Sequence, residues 1–187
     1  MEDELELIME ELKEQMGKAI EHLDYELGKI RAGKANPHVL DDIKVEYFGA
    51  PTPLAQVANV TVPDPRTIAV KPWEKTMIGP IEKAIMAANL GLNPDNNGEV
   101  IRIMIPPLTE ERRRDLAKLA KRTAEESKVA IRNIRRDAIE NVKKLKKEGL
   151  GEDVQKDKEA EIQKIHDAYI KKVDEMYALK EKDIMTV

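Results

Sequence analysis

The sequence predicts an α+β protein, in which a long antiparallel three-helix bundle is interrupted by a small inserted α/β domain that is mostly β. Near both ends of the chain, apolar residues recur at steps of three and four, as in long amphipathic helices. The middle of the chain instead shows short alternating segments separated by glycine and proline. These patterns divide the chain into a discontinuous bundle, residues 1–30 and 107–187, and an insert, residues 31–106.

The first helix is predicted from an apolar seam at heptad spacing between residues 5 and 30. Its members are Leu5, Met9, Leu12, Met16, Ala19, Leu23, Leu27 and Ile30. After this seam, glycine and proline in "RAGKANPHVLDD" break the period, so a different kind of structure begins near residue 31.

The insert is predicted to contain short strands and one helix. "IKVEYFGAPTP" is typical of a strand that runs into a turn, and "VANVTV", "RTIAVKP" and "GEVIRIMI" indicate three further strands. Between them, "MIGPIEKAIMAANLG" predicts a helix that ends at Gly91. The single tryptophan, Trp73, is expected to pack in the core or at the domain edge. Turns are expected at Pro51, Pro53 and Pro94.

The second long helix is predicted to follow the proline pair and to run to about Glu148. Glu110 and Glu111 fall in its first turn, where acidic side chains suit the positive end of the helix dipole. At ~1.5 Å per residue, this helix spans roughly 60 Å. Gly149 and Gly151 end it, and a third helix follows. The apolar side of the third helix is predicted to carry Val154, Ile162, Ile165, Tyr169, Val173 and Met176.

The chain crosses between bundle and insert twice, and two crossings close together allow a two-strand hinge, although such a connection can also be rigid. The candidate hinge residues are Arg31, Ala32, Gly33, Lys34, Ile105, Pro106 and Pro107.

Several classes of protein are excluded by composition. Cysteine is absent, so there is no disulfide framework, thiolate metal site or cysteine nucleophile, as expected in a reducing cytoplasm. The acidic N-terminus lacks the pattern of a secretory signal, and no run of 18 apolar residues predicts a membrane span. His22, His38 and His166 show no paired ligand spacing, and no phosphate-binding glycine-rich loop is present. We therefore expect no enzyme activity, cofactor or metal, and three surface or packing histidines.

Charge is distributed unevenly along a chain whose net charge is −4. Residues 1–30 contain 3 basic and 10 acidic side chains, and residues 149–187 contain 7 and 10. The insert has 8 of each, whereas residues 107–148 have 14 basic and 8 acidic side chains. One helix of the bundle is therefore basic and its two partners are acidic.

The basic residues of the second helix are predicted to form a basic stripe that faces away from the other helices. At ~100° per residue they lie within about 60° of one line, roughly opposite the apolar seam. Those residues are Arg114, Lys121, Lys128, Arg132, Arg135, Arg136, Lys143 and Lys146. Such a stripe is available to phosphates, whereas an aromatic content of only 3% disfavours stacking on bases. The alternative is that these charges pair with acidic residues of the neighbouring helices.

Five collinear strings, "KIRAGKANP", "VEYFGAPTPL", "EKAIMAANLGLNP", "PPLTEERRRDL" and "VAIRNIRRDA", closely resemble bacterial ribosome recycling factors over nearly the whole chain. The resemblance implies an L-shaped, tRNA-sized, monomeric and non-enzymatic factor. Such a factor binds the ribosome after termination and, with elongation factor G and GTP, separates the subunits so that mRNA and tRNA leave. The smaller domain is expected to meet elongation factor G and to swing about the hinge.

The same resemblance implies that arginines of the second helix bind large-subunit rRNA. Carried to this chain, these are Arg113, Arg132 and Arg135. Arg113 lies off the line of the basic stripe, so its assignment depends on the resemblance alone, while the other two are also supported by periodicity. The wider candidate rRNA-binding set adds Arg112, Arg136, Lys121 and Lys128.

Three other functions are weighed against this one. A helical-bundle scaffold protein would use its charges to bind other proteins and would show no salt-sensitive RNA affinity. A general RNA-binding module would bind any RNA with similar affinity. An enzyme built on the insert would need a nucleophile and base, and the sequence offers no such pair.

Overall fold

The computed structural model describes residues 1–30 and 32–186. Its helices are α1 (Glu2–Gly28), α2 (Leu54–Val57), α3 (Ile78–Ala87), α4 (Glu110–Lys147) and α5 (Glu152–Met185). Its strands are β1 (Lys44–Tyr47), β2 (Ala50–Pro53), β3 (Ala58–Asp64), β4 (Thr67–Pro72), β5 (Pro94–Asn96) and β6 (Ile101–Met104). The chain forms two compact units, a helical unit of Met1–Ala32 with Glu110–Val187, and a small unit of Gly33–Thr109. The predicted α+β fold class is confirmed.

In the helical unit, α4 packs against both α1 and α5. The seam of α1 is made by Leu5, Met9, Leu12, Met16, Ile20, Leu23 and Leu27, with Ile30 just beyond the helix. Seven of the eight predicted positions are therefore buried. Ile20 replaces Ala19, which is half-buried, because the step of four from Met16 places the larger side chain in the core.

A glycine ends α4 as the sequence predicts. Gly149 has φ +115°, a left-handed conformation that favours glycine. Its N–H donates to the Lys146 carbonyl at 3.1 Å, and the Leu150 N–H donates to the Leu145 carbonyl at 3.0 Å. This pair of bonds is a Schellman motif, which satisfies carbonyls that the helix leaves free.

The buried side of α5 differs from the prediction because polar residues occupy part of it. Val154 is exposed, while its neighbour Gln155 is buried, and His166 takes a core position next to the half-buried Ile165. The buried residues of α5 are Gln155, Ile162, His166, Val173 and Ile184. A search for apolar periodicity cannot find a seam that includes glutamine and histidine.

The small unit is built from two antiparallel sheets. The first pairs β1 with β2, and the second has the order β3-β4-β6-β5. Helix α3 contacts β1 and β5, and so covers this core. The most completely buried members of the core are Val45, Ile68, Val70, Ile81, Ile85, Ile101 and Ile103.

All three prolines that were predicted to lie in turns lie in strands instead. Pro51 and Pro53 lie in β2, and Pro94 begins β5. Each of these strands lies at the edge of its sheet and pairs with one neighbour. Proline is tolerated in an edge strand, because its missing N–H can face the unpaired side. Helix α3 also ends earlier than predicted, at Ala87, because Asn89 takes a left-handed φ of 52° before Gly91 is reached.

The segments predicted as a hinge lie side by side where the chain enters and leaves the small unit. Arg31 lies outside the described residues. Gly33 has φ +73°, and a Cβ atom there would lie 2.6 Å from the Leu108 Cγ. Both segments are tied to the turn between β3 and β4. The Ala35 N–H donates to the Pro65 carbonyl at 2.7 Å, and the Ile105 N–H donates to the Arg66 carbonyl at 2.7 Å.

Within residues 1–30 and 32–186, no helix has both the length and the apolar character that a membrane crossing requires.

Candidate nucleic-acid interface

The basic residues of the bundle are concentrated on α4. Its 38 residues include 14 lysines and arginines and 7 acidic residues. One side of α4 is buried in the bundle, so the opposite side faces solvent. The buried residues are Leu116, Ala120, Ala124, Ile131, Ala138, Val142 and Leu145. The direction of the basic side chains is therefore set by core packing.

Arg132 and Arg136 form the centre of the exposed basic surface. They lie one turn apart, and both are exposed. Lys121, three turns before Arg132, and Lys143, three turns after it, are exposed on the same side. None of these four forms an ion pair with any carboxylate among the described residues. We call these four residues the outward stripe.

Arg135 lies at the border of the outward stripe with α5 and is half-buried. Its Nη1 donates to the Gln163 Oε1 at 3.3 Å, and the Gln163 Nε2 donates to the Asp167 Oδ1 at 2.8 Å. The same carboxylate oxygen is 2.9 Å from the Nδ1 of the buried His166. The bond to His166, the bond to Gln163 and the charge of Arg135 lower the pKa of Asp167. Arg135 is thus held by α5, whereas Arg132 is not.

Lys128 requires a correction, because its ammonium group is already paired. Its side chain is only 16% exposed, and its Nζ lies 2.5 Å from the Asp174 Oδ1 and 3.6 Å from the Glu125 Oε1. The hydrogen bond to Asp174 is the main reason that the pKa of Lys128 is raised. The predicted basic stripe therefore included one residue, Lys128, that packs against α5. For this lysine, the alternative interpretation, in which the charges of α4 pair with acidic residues of the neighbouring helices, is correct.

The first turn of α4 adds three arginines in different environments. Arg114 Nη2 is 2.6 Å from the Glu110 Oε1 and is therefore paired. Arg113 is half-buried, three residues before the buried Leu116 and so on the same side of the helix as the seam. Arg112 is exposed and takes part in an interaction with another group.

The described residues hold no group of three histidine, cysteine or acidic side chains arranged to bind a metal ion. His22 is exposed, and the His38 Nδ1 lies 2.9 Å from the Asp41 Oδ2 on the surface of the small unit. His166 is a packing residue of the bundle, as predicted.

Comparison with known proteins identifies the family. The family model described as "Ribosome recycling factor" matches residues 23–185. The chain belongs to the ribosome recycling factor family. Among curated members, it is 62% identical over 176 residues to the ribosome-recycling factor of Parabacteroides distasonis, covering 94% of each chain. It is 54% identical over 187 residues to that of Flavobacterium johnsoniae, covering 100% of each.

Solved structures of the family share the fold. A solution structure of the ribosome recycling factor matches with a TM-score of 0.79 and 40% identity, over 98% of each chain. A second match has a TM-score of 0.64 and 50% identity, over 97% of this chain and 99% of the other. That second structure models the Thermus thermophilus factor, with Escherichia coli elongation factor G, bound to the E. coli post-termination complex. The family resemblance inferred from the sequence motifs is confirmed.

Proposed function

We propose that this protein is a non-enzymatic recycling factor that splits post-termination ribosomes together with elongation factor G and GTP. The observation that carries the proposal is the pair of exposed, unpaired arginines at the centre of the outward stripe, Arg132 and Arg136, in a member of the family. It acts as a monomer, in the cytoplasm.

The outward stripe anchors the helical unit to large-subunit rRNA. Arginine presents a planar fork of N–H donors that matches phosphate oxygens, and each neutralised phosphate releases counterions. The anchoring set consists of the outward stripe, with Arg135 at its border and Arg112 and Arg113 in the first turn of α4. Lys128 is left out because Asp174 neutralises it.

The acidic remainder of the bundle confines RNA binding to α4. The α1 segment of 27 residues carries many carboxylates and few lysines, so its outer face repels phosphates. An evenly basic bundle would bind RNA through any face. A net negative chain with one basic helix instead binds in a single orientation.

The small unit has a different role, which is to receive elongation factor G. The hinge at residues 31–34 and 105–107 lets residues 31–106 swing when the motor factor pushes on them. The anchored α4, a continuous helix of 38 residues, transmits the force to contacts between the ribosomal subunits.

The test is the splitting of purified post-termination ribosomes, followed by light scattering, with this protein, elongation factor G and GTP. Arg132→Ala is compared with Lys18→Ala, which removes an exposed cation from the acidic helix α1. We expect splitting to require all three components, to fall with Arg132→Ala and to be unchanged with Lys18→Ala.

Three outcomes contradict the proposal in different ways. If the folded protein binds ribosomes but does not split them with its cognate elongation factor, the recycling function is wrong. If Arg132→Ala and Lys18→Ala reduce splitting equally, overall charge, rather than the outward stripe, controls binding. Equal affinity for any RNA would favour a general RNA-binding module.

A further inference from the structure

Aromatic residues are scarce in this chain, and two of them are exposed on the small unit. The chain has one phenylalanine, one tryptophan and four tyrosines. Phe48 is 87% exposed and Trp73 is 67% exposed. Of the two positions expected for Trp73, the core is therefore excluded, and the ring lies in a groove at the edge of the small unit. A buried aromatic ring would have stabilised the fold, whereas these two rings remain in water.

Tyr47 joins the two exposed rings into one surface. Its ring lies 4.5 Å from that of Phe48, centroid to centroid, in an edge-to-face arrangement. Tyr47 and Trp73 also line the same shallow groove, together with the apolar side chains of Val57 and Met77. The backbone N–H of Trp73 donates to the Val57 carbonyl at 3.1 Å, which fixes the backbone at this edge. We call Tyr47, Phe48 and Trp73 the aromatic cluster.

Phe48 occupies a position that a bulky residue seldom takes. Tyr47 pairs with Ala50, so the hairpin turn between β1 and β2 has only two residues, Phe48 and Gly49. Their φ angles are 48° and 78°. Turns with two positive φ angles favour Asn-Gly, because asparagine tolerates the left-handed region and a bulky aromatic residue does not. The fold gains little from Phe48, because its backbone conformation is strained and its side chain is exposed. Exposed, strained residues of this kind cluster at functional sites.

The charges around the aromatic cluster favour a protein partner over RNA. The small unit carries seven basic and eight acidic residues, and Glu46 is exposed beside the hairpin turn. The Tyr47 hydroxyl donates to the Glu74 Oε1 at 3.1 Å, so a second carboxylate lies against the rings. Surfaces that stack RNA bases combine aromatic rings with a positively charged groove, whereas the described residues that line this groove include Glu74 and no lysine or arginine. Aromatic anchors that enter an apolar pocket are instead typical of protein interfaces.

We propose that the aromatic cluster is the surface through which the small unit docks onto elongation factor G, with the Phe48 ring inserted in an apolar pocket of that partner. The inference rests on the proposed function, in which the small unit receives the motor factor. A family structure that contains both proteins on one post-termination complex supports this choice of partner.

The sharpest test is Phe48→Asn, because it separates function from folding. Asparagine before Gly49 is the residue that this turn prefers, so the variant should melt at the same or a higher temperature than the unmodified protein. Its binding to ribosomes in the absence of elongation factor G should be unchanged. The concentration of elongation factor G needed for half-maximal splitting should rise about tenfold or more, as for loss of an interface anchor.

Two further variants complete the design. Trp73→Ala leaves the hairpin turn intact and should raise the concentration of elongation factor G needed for half-maximal splitting. Met86→Ala, which removes another exposed apolar side chain of the small unit, should leave it unchanged.

Each remaining outcome overturns the proposal. Normal splitting by both Phe48→Asn and Trp73→Ala would remove the aromatic cluster from the docking surface. Weaker ribosome binding by Phe48→Asn without elongation factor G would place the cluster against the ribosome itself. If the unmodified protein fails to split ribosomes, the proposed function fails first, and that control distinguishes the two failures.

Discussion

Replacing Gly33 by alanine should destabilise the small unit by about 3 kcal/mol. Gly33 has φ +73°, where an L-residue is disfavoured by roughly 1–2 kcal/mol. The added Cβ would lie 2.6 Å from the Leu108 Cγ and 3.1 Å from its Cδ1. Leu108 is half-buried, so its side chain cannot withdraw freely, and overpacking of this kind costs about 1–3 kcal/mol.

A second glycine separates the two causes. Gly98 has φ +87°, but a Cβ atom there would meet nothing within 4 Å. Gly98→Ala should therefore show the backbone strain alone, about 1 kcal/mol. Urea unfolding followed by hydrogen exchange of the backbone amides of β4 and β6 reports on the small unit, to which all these residues belong.

The contact with Leu108 is tested by a double-mutant cycle. In a Leu108→Ala background, Gly33→Ala should cost no more than Gly98→Ala does, because the Leu108 Cγ and Cδ1 are gone and the remaining Cβ, at 3.5 Å, is at ordinary contact distance. Equal destabilisation by Gly33→Ala and Gly98→Ala in the unmodified chain would refute the reasoning, since it would mean that the close approach of the two connecting segments does not constrain residue 33.

Three further predictions concern the helical unit. Arg132→Ala should weaken ribosome binding and reduce the slope of log affinity against log salt by about 0.7–0.9, while changing stability by less than about 0.5 kcal/mol; an unchanged slope would exclude a phosphate contact. Lys128→Ala should do the reverse, lowering stability by about 1 kcal/mol through loss of its pairing with Asp174 and of its packed stem, and leaving ribosome affinity unchanged in binding assays. Absorbance titration should detect a tyrosine with a pKa of about 12, because Tyr177 donates a hydrogen bond to Glu181. Since the folded pKa is raised, this bond stabilises the fold below about pH 10 and is lost as the pH rises to about 12, and Glu181→Gln should return the pKa toward 10.

The helices of the bundle were largely predictable because their cores are apolar and periodic. The seam of α1 follows from apolar spacing alone, with Ile20 in place of Ala19 as its only error. The seam of α5 was not predictable in this way, because Gln155 and His166 occupy buried positions that a polarity pattern assigns to solvent. Their burial depends on which face α4 covers, and this is a tertiary property.

The basic surface was predictable in direction but not in width. Helical projection places Lys128 and Arg132 within about 40° of one another, so both belong to the predicted stripe. Only the packed structure shows that α5 covers one of them and leaves the other exposed. The prolines of β2 and β5 illustrate the same limit, because proline is compatible with either a turn or an edge strand until the neighbouring strands are known.

The side-by-side arrangement of the two connecting segments bears on how such a chain arises. Gly33 and Leu108 are in contact, so the small unit begins and ends at almost one point. A unit of this kind can be inserted into a loop between two helices without forcing those helices apart. The small unit therefore has the geometry of a cassette, which an ancestral helical protein could acquire, exchange or lose in one genetic step while its own core stays the same.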